Sequence, residues 1–292
     1  MRGRNSVLSL HLIGNTTDNW ARILLDPQEL DDLLELRNFR LIEIEHRKNE
    51  ESPYHEFVQV TVQCTTIERS THIRYARVDR SFQRNPASVR NHYRNLLRGS
   101  SLPADDTIFI TPTPHRAGSF SMFVLYFDYT KAPTILDLAN VLQAVTSSAP
   151  NYNLDSMCYW FARMVFDGLA EAFGGQILPG QKPGRRGKFT WGIELVERGG
   201  SLRLTGLPYL TRARKSPVLP TREVISSEIH RLRKQLEKEW KCVESGETPA
   251  DRDKDPAAAA ELGEHASRVQ DNEVQVFSCP FATVLTVSQM RC

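Results

Sequence analysis

The chain has few cysteines, no long apolar run and almost no excess of either charge, and each scarcity removes a class of protein. Its five cysteines, Cys64, Cys158, Cys242, Cys279 and Cys292, are scattered over 292 residues and form no Cys-x-x-Cys pair. That pattern excludes a redox dithiol and a sequence-encoded zinc site, and it leads us to expect reduced thiols. Nothing in the spacing of His, Cys, Asp and Glu suggests metal ligation, so neither a metal nor another cofactor is expected. No segment approaches the roughly 20 apolar residues needed to span a bilayer. The basic start Met1-Arg2-Gly3-Arg4 leads into only a short apolar stretch, Val7 to Ile13, broken by Ser9 and His11, which reads as a strand and not a signal peptide. A cytoplasmic location is the matching expectation. The formal net charge is +2 with 25% charged residues, a balance too even for nucleic acid to be the main partner.

What is present is a core-forming chain, 40% hydrophobic, with several alternating runs. Strands are expected over 6–13, 39–47, His55 to Cys64, Thr71 to Asp79, 107–111 and 121–129. Asp26-Pro27 opens a helix carrying Leu30, Leu33, Leu34 and Leu36, and Pro133 precedes another with apolar positions 135, 138, 142 and 145. The clearest helix begins at Cys158, buries Phe161, Ala162, Val165, Phe166, Leu169 and Phe173 along one face, and stops at Gly174-Gly175. The sequence predicts an α+β fold, an antiparallel sheet packed on this principal helix. Residues 80–106 are rich in Arg, Asn, Ser and Pro and read as an irregular polar insertion with one helix near 87–98. Lys182, Arg185, Arg186 and Lys188 suggest a flexible basic loop, followed by a hairpin through Gly199-Gly200. The expected organisation is a core over 1–215, a charged amphipathic helix within 216–242 and a mostly disordered tail over 243–292. The helix at 221–241 spaces Ile225, Ile229, Leu232, Leu236 and Trp240 almost as heptads, as in a coiled coil, and could pack on the core or on a protein partner.

Cys158 is the residue with the most chemical promise. Asp155 or Ser156 is placed to cap its helix, which sets the sulfur among unpaired backbone N–H groups at the positive end of the dipole, where a thiolate is stabilised. Among Tyr159, Trp160 and Phe161, a free cysteine also fits a small buried hydrophobe. A nucleophile requires a base, and His55, at the head of an alternating strand, is the first candidate. His72 on the next strand could orient His55 or be the base itself, whereas His115, in Thr113-Pro114-His115-Arg116, reads as a solvent-exposed turn residue. Arg74, Arg77 and Arg80, extended by Arg84, Arg90, Arg94 and Arg98, fit either a phosphate-binding surface or, more simply, solvated arginines.

An early strand histidine, a second polar strand, and a cysteine opening a helix 103 residues later together resemble the circularly permuted papain-like group. That group includes the lecithin:retinol acyltransferase-like acyltransferases and the NlpC-type peptidases. Tyr152-Asn153-Leu154 matches a Tyr-x-Leu-like approach, and Cys158-Tyr159-Trp160-Phe161 stands where that branch has an Asn-Cys-Glu-His-Phe-like motif. His55-Glu56-Phe57 with Cys158-Tyr159-Trp160-Phe161-Ala162 is also similar to a set of fungal proteins. The resemblance implies Cys158 as nucleophile, His55 as general base and His72 as the orienting residue. It implies a hydrolase or acyltransferase that forms a thioester with a small-molecule, lipid or peptide substrate. The alternative is a catalytically inactive scaffold acting as a protein-interaction module.

Overall fold

Alternation sets Val58, Val60 and Val62 on one face of a strand, and the helices close that face from solvent so completely that none of the three exceeds 2% exposure. The computed structural model describes residues 15–24, 36–51, 55–65, 71–82, 102–152, 157–188 and 222–245. The strands are β1 Asn15–Thr16, β2 Phe39–Asn49, β3 Glu56–Thr65, β4 Thr71–Phe82, β5 Leu102–Thr111, β6 Ser119–Tyr126, β7 Asn151–Tyr152 and β8 Gln176–Pro179. Seven of them form an antiparallel sheet in the order β1-β5-β4-β3-β2-β6-β8, and β7 pairs separately with the start of β5. The helices are α1 Thr17–Leu24, α2 Ile135–Ser148, α3 Cys158–Phe173 and α4 Arg222–Ser245. The fold is therefore α+β, as the alternating and helical periods predict. The chain divides into two units, Met1–Glu237 and Lys238–Cys292. Of the second, the structure describes residues 238–245, the end of α4.

Helix α3 packs against β2, β3 and β4, and α2 packs against α3. Thr134 caps α2 with a capping box: its hydroxyl accepts from Asp137 N at 3.2 Å while the Asp137 carboxylate accepts from Thr134 N at 2.7 Å. Helix α3 is apolar on nearly every side and ends at Gly174, whose φ of 64° is open to glycine without strain. Its N-cap is Met157, which makes no side-chain capping bond; Asp155 and Ser156 lie outside the described residues.

The structure corrects several expectations. Strand β4 runs on to Phe82 and β5 starts at Leu102, so both flanks of the supposed insertion over 80–106 belong to the sheet. They do so because Arg80, fully buried, donates to both carboxylate oxygens of Asp106 at 2.6 Å, a pair that reads as polar surface in sequence. The basic loop is docked and not free. Arg186 donates to Asp167 at 2.6 Å, Gly187 N donates to Glu56 at 2.9 Å, and Lys48 donates to the carbonyls of Arg185 and Lys188. In α4, Ile225 and Ile229 are each 1% exposed, and Ile229 lies close against Gly168 of α3. The leading apolar face of this helix thus packs on its own core. The expected elements at 6–13, 87–98 and Gly199-Gly200, the helix after Asp26-Pro27 and the tail beyond 245 lie outside the described residues. Among the described residues no helix is long and apolar enough to cross a membrane.

Candidate active site

Cys158 is the first residue of α3, and the first intrahelical bond runs from Phe161 N to Met157 O at 3.1 Å. The first turn of any helix leaves its leading N–H groups without intrahelical acceptors, so the sulfur sits beside a local positive field. Two buried cations fix that turn against the sheet. The Arg80 guanidinium lies 5.4 Å from the Trp160 ring centre and 4.6 Å from that of Phe161. The Lys48 ammonium lies 4.8 Å from the Tyr159 ring and is itself held by Glu56 at 2.9 Å. Cys158 is 4% exposed.

His55 stands immediately before β3, its carbonyl accepting from Asn49 N at 2.9 Å, so β2 fixes where the side chain starts. Its Nε2 bonds Asp79 Oδ1 near the end of β4, and Cys158 lies near enough to act on the ring electrostatically. Asp79 uses its second oxygen, Oδ2, to accept from Arg77 Nε at 2.7 Å. Burial alone would lower the His55 pKa. Electrostatic interaction with Cys158 and Asp79, with hydrogen bonding to both, more than offsets it and raises the value from 6.5 to about 10. Burial likewise works to raise the Asp79 pKa, but the His55 and Arg77 partners hold the carboxyl below its ordinary value.

The structure thus brings His55 and Cys158 together and leaves His72 apart. His72 is exposed and pairs with Cys64 at the opposite end of the β3–β4 ladder. It lies seven residues before Asp79 on β4, roughly 23 Å along an extended strand. Asp79, and not His72, is the side chain that bonds the His55 ring. His115 also departs from expectation: it is half-buried, and its Nε2 is enclosed without a protein hydrogen-bond partner. Burial first, and then the nearby Arg77 charge, lower its pKa against an opposing pull from Asp79. Of the three described arginines of the basic run, Arg77 and Arg80 are committed to Asp79 and Asp106, and Arg74 donates to the Ile73 carbonyl at 3.0 Å.

Cys64, on β3, is a buried thiol that desolvation pushes up to about 12 despite an opposing effect from Arg74. His46 is also buried; its Nε2 lies 2.9 Å from Glu56, and desolvation keeps its pKa below the ordinary value. A polar cleft of about 310 Å³ opens beside β2 and β6 and is lined in part by Glu45, Arg47, Arg116, Ser121, Tyr126 and Gln181. Its central charges pair with one another, Glu45 bridging Arg47 and Arg116. Among the described residues no group of three or more His, Cys, Asp and Glu side chains is arranged to hold a metal ion. Comparisons with family models, with curated proteins and with solved structures found no match to this chain.

Proposed function

We propose that the chain is a cysteine-dependent hydrolase or acyltransferase acting on an ester or amide. The observation supporting this reading is the position of His55 between the Cys158 side chain and the Asp79 carboxylate. The Cys158 thiolate attacks the substrate carbonyl carbon, and the displaced π electrons collect on oxygen. The Cys158 backbone N–H, in the first turn of α3, is placed to stabilise that oxyanion. His55, protonated by its partnership with both anions, gives its proton to the departing alcohol or amine as the carbon–heteroatom bond breaks, which leaves a thioester. The neutral ring then takes a proton from water or an acceptor hydroxyl or amine. The resulting nucleophile expels the thiolate and carries off the acyl group. Asp79 holds the ring in position and stabilises its charged form throughout. A small-molecule, lipid or peptide acyl donor is compatible with this chemistry.

Alkylation of Cys158 by iodoacetamide tests the pair, with Cys64 replaced by alanine and Cys242, Cys279 and Cys292 by serine. Rapid alkylation, with about a tenfold or greater loss in His55→Ala, is the expected result. A thiol of ordinary reactivity, indifferent to the loss of His55, overturns the enzyme reading and returns the fold to the role of an interaction scaffold.

A further inference from the structure

The Asp79 carboxylate has two oxygens and two partners, His55 on Oδ1 and Arg77 on Oδ2. A carboxylate on a short side chain can rotate about its terminal bond, a broad and weakly restrained torsion. Something must therefore hold the rotamer that turns Oδ1 toward the imidazole. Arg77 is itself seated: its guanidinium carbon lies 3.9 Å above the centre of the Phe57 ring, and Phe57 is fully buried in β3. Stacking on that ring restricts the guanidinium plane, and the directed Nε–H then restricts the carboxylate.

We infer that Arg77 is a positioning residue of the Cys158–His55–Asp79 site, acting through the N–H it directs at Asp79 Oδ2 and not through its charge alone. This deepens the thiol-enzyme reading and rests on it. The charge and the directed bond act in opposite senses. A positive charge beside Asp79 draws the carboxylate away from the imidazolium electrostatically, whereas the fixed rotamer strengthens the Asp79–His55 contact geometrically. His115 is the other titratable group facing Arg77 and Asp79. Measurement above pH 6.5 keeps it from adding a second cation beside Arg77.

Three substitutions separate the two effects. In Arg77→Gln the amide nitrogen occupies the place of Nε, so the donor remains and the charge goes. In Arg77→Lys the charge remains and a methylene takes the place of Nε. Arg77→Met removes both at similar length. The readout is the pH–rate profile of Cys158 alkylation by iodoacetamide, in the background lacking the other four cysteines, with near-ultraviolet circular dichroism to establish that each variant is folded. Arg77→Gln is expected to stay within about threefold of the parent, while Arg77→Lys and Arg77→Met fall about tenfold, the scale of one directed hydrogen bond. A parent-like rate in Arg77→Met overturns the inference, as does Arg77→Lys performing as well as Arg77→Gln, or Arg77→Gln no better than Arg77→Met. An unactivated Cys158 in the parent, with no response to His55→Ala, instead removes the thiol-enzyme reading itself, so the two failures are distinguishable.

Discussion

At His55 burial opposes the charged ring, but Cys158 and then Asp79 outweigh it, and this ties the protonation of His55 to folding. Its folded pKa of about 10 lies above the value near 6.5 it would have in the unfolded chain, so folding favours the protonated ring. That contribution is fully present below pH 6.5 and is lost as pH rises from there through about 10. Asp79 has the opposite sign: its depressed pKa stabilises the fold above the ordinary value of 3.8 and the benefit is lost as pH falls through the folded value. Wild type is therefore expected to lose melting temperature more steeply than His55→Gln between pH 6.5 and about 10. Parallel melting curves for the two proteins over that range would show that the ring carries no such linkage. Replacing Asp79 with Asn removes the charge that helps hold the proton, so the His55 pKa should drop toward its ordinary range. A ring-proton NMR titration reads this directly.

At the scale of elements, the most predictable feature is α3, whose period and glycine stop are both visible in sequence and both observed. Gly168 shows how closely it is packed: a Cβ built there would lie 3.0 Å from Ile229 Cδ1 of α4. Ile229→Ala should cost about 2–4 kcal/mol, as truncation of a buried aliphatic chain commonly does. Val224→Ala, at a position 55% exposed on the same helix, should change stability by less than about 0.5 kcal/mol. Urea denaturation of the two variants makes the comparison; equal effects would mean that α4 does not dock through Ile229. The bond between Asp79 and His55 was harder to read, because it depends on register. Strands β3 and β4 pair antiparallel across a short connection, with Thr65 opposite Thr71 and Val58 opposite Val78. A residue near the start of β3 must then face the end of β4, which places Asp79 near His55 and leaves His72 beside the connection. Composition held no trace of this, but the hairpin order did, and it argues against His72 even before coordinates are known. His55 and Cys158 were legible because each marks the first turn or edge of an element with a clear period.

Across the molecule, the unexpected quantity is buried charge. Arg80 and Lys48 are fully buried, as is Glu56 to within 1%, and all three lie around the first turns of α3. Arg80, which sequence reading assigns to solvent, thus joins Lys48 and Glu56 around the start of the helix that begins at Cys158. Asp106 connects this group most widely: it accepts both Arg80 bonds from β4 and a 2.9 Å bond from Thr146 of α2, while Arg80 in turn lies against Trp160 and Phe161 of α3. Removing one partner of a buried pair strands the other charge, so Asp106→Ala should destabilise the protein by about 3–5 kcal/mol. The double variant Arg80→Met with Asp106→Leu leaves no stranded charge and should recover much of that loss, provided the new side chains fill the space. Arg80→Met removes the cation against Trp160 and Phe161, so the double variant should alkylate Cys158 more slowly than wild type even where it has regained stability. Denaturant titration and alkylation of the same samples separate the effects. A double variant with restored stability and an unchanged alkylation rate would show that the Arg80–Asp106 pair supports the fold without setting the position of the sulfur.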